Sequence, residues 1–84
     1  MSEEELAFVL AYKSSGGKNS YSFAYSRDHL AATFDSVKRV ESNTILGSIP
    51  FPPDKTEPVT AVCEEFRRTP SMTKVDLEKR IQEL

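Results

Sequence analysis

The hydrophobic pattern changes its period within Ser20–Val40, and this change predicts a strand that leads directly into a helix. Aromatic residues occupy every second position at first, at Tyr21, Phe23 and Tyr25. This alternation is typical of a strand with one buried face. Apolar residues then recur at the spacing of an amphipathic helix, at Leu30, Phe34, Val37 and Val40.

The residues at both ends of this helix support the prediction. Ser26 lies where an N-cap is expected, and Asp28 places a carboxylate near the positive end of the helix. Lys38 and Arg39 lie near the negative end. We therefore expect a helix over Ser26–Val40.

The preceding segment predicts a partner strand. Apolar residues occupy both faces of Leu6–Tyr12, which favours a strand. A short helix that begins at Ser2, with Glu5 at the third helical position, is the alternative. The polar segment Lys13–Asn19 contains paired glycines, which adopt the positive φ that a chain reversal needs. We therefore expect an antiparallel hairpin.

The second half of the chain predicts a short strand followed by two helices. Thr44–Ile49 reads as a third strand or extended segment, and the proline-rich residues 50–57 read as a linker and hinge. A helix follows, with apolar residues at helical spacing at Val59, Val62, Cys63 and Phe66. Thr69–Ser71 ends that helix.

Residues 71–84 predict a last helix that begins with a capping box formed by Thr73 and Asp76. Its apolar residues are Val75 or Leu77, together with Ile81 and Leu84. Asp76 and Arg80 are spaced to pair across one turn. Because its apolar stripe is short, we expect this helix to be peripheral.

These elements predict an α+β fold. With 84 residues, the chain has the size of one small domain. We expect an antiparallel sheet of two or three strands packed against an amphipathic helix, with two short helices towards the C-terminus.

Composition narrows the functional classes. Eleven Lys and Arg residues are interspersed with 13 Asp and Glu residues, and the net charge is −2. No basic face is evident, so we expect no nucleic-acid partner. A single cysteine excludes an intrachain disulfide and favours a reducing compartment. The acidic start does not resemble a secretory signal, and the apolar run Leu6–Tyr12 is too short to span a bilayer. We therefore predict a cytoplasmic protein.

No catalytic constellation is evident in the sequence. His29 is the only histidine and has no neighbouring nucleophile, while Cys63 falls on an apolar helical stripe. We expect no enzyme activity, cofactor, metal or small-molecule substrate.

Two short motifs could take part in binding or regulation. Residues 50–55 match P-x-x-P-x-[KR], a form that docks on aromatic grooves, although a linker also explains these prolines. Thr69 and Ser71 follow two arginines at a helix end and are candidate phosphorylation sites.

An open sheet edge and apolar residues on both strand faces favour a protein-binding, scaffold or adaptor module, either self-associating or bound to another protein. The residues expected to contact the partner are Phe8, Leu10, Tyr12 and Tyr21 on the sheet and Phe66, Leu77, Ile81 and Leu84 on the helices. The alternative is weak attachment to an anionic membrane or phosphoinositide through Lys13, Lys18, Arg27, Lys38 and Arg39.

The segment Phe8–Val40 also resembles the last hairpin and C-terminal helix of a pleckstrin-homology-like domain. Its string SYSFAYSRDHLAATFDSV is similar to a repeated pattern in the large endosomal J-domain co-chaperones of receptor-mediated endocytosis. The matching positions are Tyr21, Ser26, Arg27, Asp28, Leu30, Ala31, Ala32, Asp35 and Val37. The resemblance implies a scaffold or adaptor surface on endosomal membranes.

Overall fold

The computed structural model describes residues 6–84 as an α+β domain, which confirms the predicted fold class. The elements in chain order are β1 (Ala7–Ser14), β2 (Lys18–Ala24), α1 (Arg27–Lys38), β3 (Thr44–Phe51), α2 (Thr56–Arg68) and α3 (Lys74–Gln82). All but Leu6 of the predicted segment Leu6–Tyr12 thus belong to a strand rather than to the alternative helix. Ser2 and Glu5, on which that alternative depended, lie outside the described residues.

The three strands form one antiparallel sheet in the order β2-β1-β3. The central strand β1 pairs with β2 from Phe8 opposite Ala24, and with β3 from Ala7 opposite Phe51. Because β2 and β3 therefore run in the same direction, α1 must cross the sheet to connect them. We call the end where β1 finishes and β2 and β3 begin the hairpin end.

The β1–β2 turn is shorter than the sequence predicts. Only residues 15–17 lie outside the strands, as one 3-10 turn, whereas the prediction assigned Lys13–Asn19 to the loop. The paired glycines act as expected, with φ of +78° at Gly16 and +72° at Gly17. Lys13 and Asn19 instead pair with each other across the ladder.

The main core lies between one face of the sheet and helices α2 and α3. Alternating residues of β1 point into it and are fully buried, namely Ala7, Val9 and Ala11. All four apolar residues predicted for the first of these helices are buried there: Val59, Val62, Cys63 and Phe66. The helical spacing of these residues therefore identified the core face of α2 correctly.

Helix α1 contacts all three strands and covers the opposite face of the sheet, where Phe8 and Leu10 are buried. Its N-cap is confirmed, because the Ser26 hydroxyl accepts a hydrogen bond from the His29 backbone N–H at 3.0 Å. Its predicted apolar stripe is only partly buried. Val37 is buried, whereas Phe34 is 38% exposed and Val40, beyond the end of the helix, is 51% exposed.

The sequence predicted a linker or hinge over the proline-rich residues 50–57, but these residues form parts of regular elements instead. Pro50 and Phe51 are the last two residues of β3, and Phe51 is buried in the core. Residues 53–55 form a 3-10 turn that runs directly into α2. A proline is accepted here because β3 is an edge strand, where a missing N–H breaks no ladder hydrogen bond.

Helix α3 has the predicted capping box, in which Thr73 and Asp76 exchange hydrogen bonds with each other's backbone N–H at 3.2 Å. The predicted pair between Asp76 and Arg80 is wrong. Asp76 is engaged in the cap, and Arg80 pairs with Glu65 on α2 at 2.7 Å. The helix is also not peripheral, since Leu77 and Ile81 are buried in the main core.

Candidate functional site

The apolar helix residues that we expected to contact a partner lie inside the domain. Phe66 and Leu77 are fully buried and Ile81 nearly so, because all three pack into the core between the sheet and α2/α3. They therefore offer no surface to a partner. Leu84, at 45% exposed, is the one member of this helical set that remains accessible.

The predicted sheet residues divide in a similar way. Phe8 and Leu10 are buried on the face of the sheet that α1 covers, so they too are unavailable to a partner. Tyr12 and Tyr21 are half-buried. Burial follows position in the sheet here, since Phe8 and Leu10 lie in the central strand, whereas Tyr12 lies nearer the hairpin turn and Tyr21 lies in the edge strand β2.

The accessible part of the sheet is its two edges. Since β1 is central, β2 and β3 each pair on one side only among the strands of residues 6–84. An edge strand presents a row of backbone donors and acceptors that can pair with another chain. The two edges differ in how well they are protected against such pairing.

The β3 edge carries two obstacles to pairing. Pro50 lacks an N–H, and the register between β1 and β3 slips near Tyr12, which leaves Leu46 as an extra residue in a bulge. Gly47 beside this bulge has φ of +144°, and a Cβ there would lie 3.0 Å from the side chain of Lys74. Prolines and bulges are standard protection against edge-to-edge association.

The β2 edge has none of these features. Its seven residues contain no proline, its register with β1 is unbroken, and its only charged residue is Lys18 at one end. The direction of its backbone groups follows from Pro50. A proline in an edge strand has its nitrogen on the outer side, so Pro50 and the opposite residue Phe8 exchange no hydrogen bonds. Phe8 therefore directs its N–H and C=O towards Ala24 on β2.

Because this direction alternates along an antiparallel strand, every second residue of β2 directs its N–H and C=O away from β1. These residues are Asn19, Tyr21 and Phe23. The side chains of Ser20 and Ser22 lie on the face of the sheet that α1 covers, and they are half-buried. The edge of β2 therefore combines free backbone groups with small hydroxyl side chains.

Tyr21 is anchored by a polar network over this strand. Its phenol Oη donates to Glu64 Oε2, and Glu64 Oε1 accepts from Arg67 at 2.7 Å. Burial and the neighbouring carboxylate raise the pKa of Tyr21 to about 12. The hydrogen bonds from Arg67 and Tyr21 lower the pKa of Glu64. The network fixes α2 over β2 and leaves the carboxylate of Glu64 engaged on both oxygens.

Asn19 is the one buried polar residue of the described chain, at 3% exposed. Its Nδ2 donates to three backbone carbonyls, those of Phe66, Thr69 and Met72, each at 3.0 Å. These carbonyls belong to the last turn of α2 and the turn that follows it. Asn19 therefore fastens the hairpin to the connection between α2 and α3. Its own Oδ1 is buried and has no hydrogen-bond partner among residues 6–84.

Most of the basic residues predicted for membrane contact meet at the hairpin end. Lys13 and Lys18 flank the hairpin turn, and Lys13 lies opposite Thr44 at the start of β3. Lys38 and Arg39, at the end of α1, also lie at the hairpin end. Asn43, which directly precedes β3, donates from Nδ2 to the Val37 carbonyl and so holds the start of β3 against the end of α1. Arg27 begins α1 at the opposite end of the sheet, so it does not join this group.

A cleft of about 200 Å³ opens at the hairpin end, between the hairpin and the end of α2. Its lining combines two basic side chains with two hydroxyls, a buried amide and a proline: Lys18, Arg67, Ser14, Ser20, Asn19 and Pro70. Two larger depressions lie elsewhere. One, of about 440 Å³, is lined by acids and bases of α2 and α3, and one, of about 280 Å³, is lined mainly by apolar residues around Phe51 and Leu84.

The candidate phosphorylation sites differ in accessibility. Ser71 is exposed, whereas Thr69 is half-buried and its carbonyl is bound by Asn19. Both lie in a turn closed by a hydrogen bond from the Met72 N–H to the Thr69 carbonyl at 2.9 Å. Phosphorylation at either position stays a prediction, with Ser71 the more accessible hydroxyl.

The residues considered for chemistry are placed apart. Cys63 is fully buried on α2, and burial raises the pKa of its thiol to about 12. His29 lies exposed in the first turn of α1, where its Nδ1 accepts from the Tyr25 N–H. Within residues 6–84, no cluster of three or more His, Cys, Asp or Glu side chains is arranged to hold a metal ion. Nor does any described helix have the length and apolarity to cross a membrane.

Two residues that matter most here were missed in the sequence. In the sequence, Asn19 looks like a loop residue next to paired glycines, and no adjacent residue indicates that its amide is buried. Glu64 reads as one of several solvated acids on α2. Both act through partners more than 40 residues away in the chain, which local pattern cannot detect.

Comparison of the chain with models of known protein families, with curated proteins and with solved structures finds no match. The resemblance of Phe8–Val40 to pleckstrin-homology-like domains and to the endosomal co-chaperones therefore stays a prediction.

Proposed function

We propose that this domain is a non-catalytic assembly module that pairs two copies of the chain through the outer edge of β2. The observation that carries the proposal is the contrast between the two edges. β3 is guarded by Pro50 and the bulge at Leu46, whereas β2 has an unbroken row of outward backbone groups. Selective protection of one edge is what a protein needs when the other edge is used.

A second copy fits this edge by its own symmetry. In an antiparallel pair centred on Tyr21, Asn19 meets Phe23 of the second copy, so outward N–H and C=O groups face one another. Lys18 meets Ala24, and Ser20 meets Ser22. No like charges oppose each other along the strand. A two-fold arrangement of this kind gives one continuous sheet of six strands.

The side chains on the helices do not compete for this role. Val59, Val62, Cys63 and Phe66 of α2 and Leu77 and Ile81 of α3 are already used in the core, and Val75 of α3 is exposed as a single apolar side chain. Strand addition requires little apolar surface, because main-chain hydrogen bonds supply the affinity. The edge of β2 is thus the surface best suited to carry a protein contact.

The test is light scattering of the purified chain over a concentration series, with a pair of matched variants. Ser22 and Ser48 lie opposite the same residue, Leu10, on β2 and β3 respectively. Ser22→Lys places a charge on the proposed interface, where we expect the dimer dissociation constant to rise about fivefold or more. Ser48→Lys makes the same change on the guarded edge and should leave it unchanged.

Two results would contradict the proposal. One is a monomer at every concentration up to about 1 mM, where even weak specific pairs form. The other is a dimer that Ser22→Lys and Ser48→Lys weaken equally, since the contact would then lie elsewhere. Circular dichroism of both variants confirms that each remains folded before its mass is interpreted.

A further inference from the structure

The cleft at the hairpin end has the chemistry of an anion site. Lys18 and Arg67 bring an ammonium and a guanidinium to its walls, and the hydroxyls of Ser14 and Ser20 lie beside them. Guanidinium and ammonium groups with neighbouring hydroxyls are the usual ligands of phosphate oxygens. A volume of about 200 Å³ leaves room for a phosphoryl group.

The fold places further basic residues at the hairpin end. Lys13 lies on the hairpin beside it, and Arg68 follows Arg67 at the end of α2. Lys38 and Arg39 end α1 at the same end of the sheet. The chain as a whole carries a net charge of −2, so this grouping is produced by folding and not by composition. Such a field raises the local concentration of anions.

Two nearby negative features are already engaged in hydrogen bonds. The carboxylate of Glu64 accepts from Nε and Nη2 of Arg67 on one oxygen and from the Tyr21 phenol on the other, which leaves Nη1 of Arg67 for a ligand. The carbonyls at the C-terminal end of α2 would repel an anion, because a helix C-terminus carries partial negative charge. Asn19 donates its amide to the Phe66 carbonyl and to the carbonyls of the next turn, which offsets that charge.

We propose that the cleft between the β1–β2 hairpin and the end of α2 binds a phosphoryl group through Lys18 and Arg67. Ser14 and Ser20 donate hydroxyl hydrogen bonds to the remaining oxygens once their mutual hydrogen bond, now 3.1 Å long, is exchanged for the ligand. The cleft shares Lys18, Asn19 and Ser20 with the β2 edge, but all of its ligating side chains come from one copy of the chain, so binding does not require dimer formation.

The probe is phenyl phosphate, titrated into the labelled protein and followed by backbone amide shifts in NMR spectra. We expect a dissociation constant of about 1 mM, with the largest shifts at residues 14–20. Lys18→Ala should weaken binding about fivefold, since one partly exposed ion pair is lost. Arg27→Ala removes the same charge at the other end of the sheet and should leave binding unchanged. Sodium chloride at equal ionic strength is the control for general screening.

A second arm identifies the source of the phosphoryl group. Vesicles of phosphatidylcholine are prepared with phosphatidic acid, which has a terminal phosphate, or with phosphatidylserine at equal charge. Retention on phosphatidic acid alone, lost with Lys18→Ala, supports the site with a lipid headgroup as its source. Binding of phenyl phosphate without vesicle retention supports it with a soluble ester.

The proposal is overturned if shifts are the same for phenyl phosphate and sodium chloride, or if Arg27→Ala weakens binding as much as Lys18→Ala. Equal retention on the two kinds of vesicle overturns it as well, because general charge attraction then explains the effect. Absence of both phenyl phosphate shifts and vesicle retention in the folded wild-type chain is equally decisive against it.

Discussion

Asn19 offers the sharpest test of how this domain is held together, because one side chain joins the hairpin to the end of α2. Its Nδ2 has two hydrogens and three carbonyl acceptors at 3.0 Å, so it forms the equivalent of about two full hydrogen bonds. The Phe66 and Thr69 carbonyls each accept a second, backbone hydrogen bond. The Met72 carbonyl therefore depends most on Asn19.

Asn19→Ala should lower the free energy of unfolding by about 3 kcal/mol. Each lost hydrogen bond contributes about 1 kcal/mol net, and the buried Met72 carbonyl adds a desolvation cost of similar size. Domains of this size have a total stability of about 4–12 kcal/mol, so the loss is a large fraction of it. In urea, the midpoint should fall by about 2 M.

Asn19→Asp tests the effect of charge at constant side-chain size. The new carboxyl has the size of the amide but cannot donate a hydrogen bond when it is ionised. At pH 7 its carboxylate faces three carbonyls, so this variant should be less stable than Asn19→Ala. The folded-state pKa of the new carboxyl is then raised above its unfolded value of about 3.9. Stability relative to wild type is therefore best below about pH 4 and is lost as pH rises through the folded-state pKa.

The assay is urea unfolding followed by circular dichroism at 222 nm, at pH 7 and again near pH 3.5, with Ser22→Ala as the control on the same strand. Ser22 is half-buried and makes no side-chain hydrogen bond recorded in the described chain. A change of less than about 0.5 kcal/mol for Asn19→Ala would show that the three carbonyl contacts do not hold the two parts together. Equal stability of the Asn19→Asp variant relative to wild type at both pH values would refute the electrostatic part of the reasoning.

Two further predictions concern the core and the β3 edge. Because burial raises the pKa of Cys63 from 9.0 to about 12, the unfolded chain loses this proton first, and stability should fall as pH rises above about 9. The raised pKa of Tyr21 adds to this loss above about pH 10. Cys63→Ala should make the fall less steep by up to about 1.4 kcal/mol per pH unit in urea titrations from pH 8 to 11; an unchanged slope would contradict the assignment. Gly47→Ala should lower the thermal midpoint, because φ is +144° and the new Cβ meets Lys74 at 3.0 Å, and calorimetry showing an unchanged midpoint would argue against strain at this position.

The sequence determined the local elements wherever it showed a periodic hydrophobic pattern or a helix-capping residue. The aromatic alternation at Tyr21 and Phe23, the Ser26 cap and the Thr73–Asp76 capping box all lie where pattern predicts them. The buried stripe of α2 was likewise evident from its helical spacing. These features depend on residues within four positions of one another, and such short-range rules can be read from a sequence.

Only the tertiary structure decided which of these residues remain accessible. Phe66, Leu77 and Ile81 look like an interaction stripe in isolation, but the sheet face covers them. Pro50 looks like the start of a linker, yet it ends an edge strand whose outer N–H is not needed. Burial depends on packing between distant segments, and no local window contains that information.

The candidate sites follow the same division. The sequence predicted an open strand edge, but the order β2-β1-β3 decided that there are two edges and that β2 is the unguarded one. Lys18 and Arg67 are 49 positions apart in the chain and share a cleft only because the hairpin returns to the end of α2. Several basic residues that are far apart in the sequence thus lie at one end of the fold, since strand direction and helix crossing place three chain reversals there.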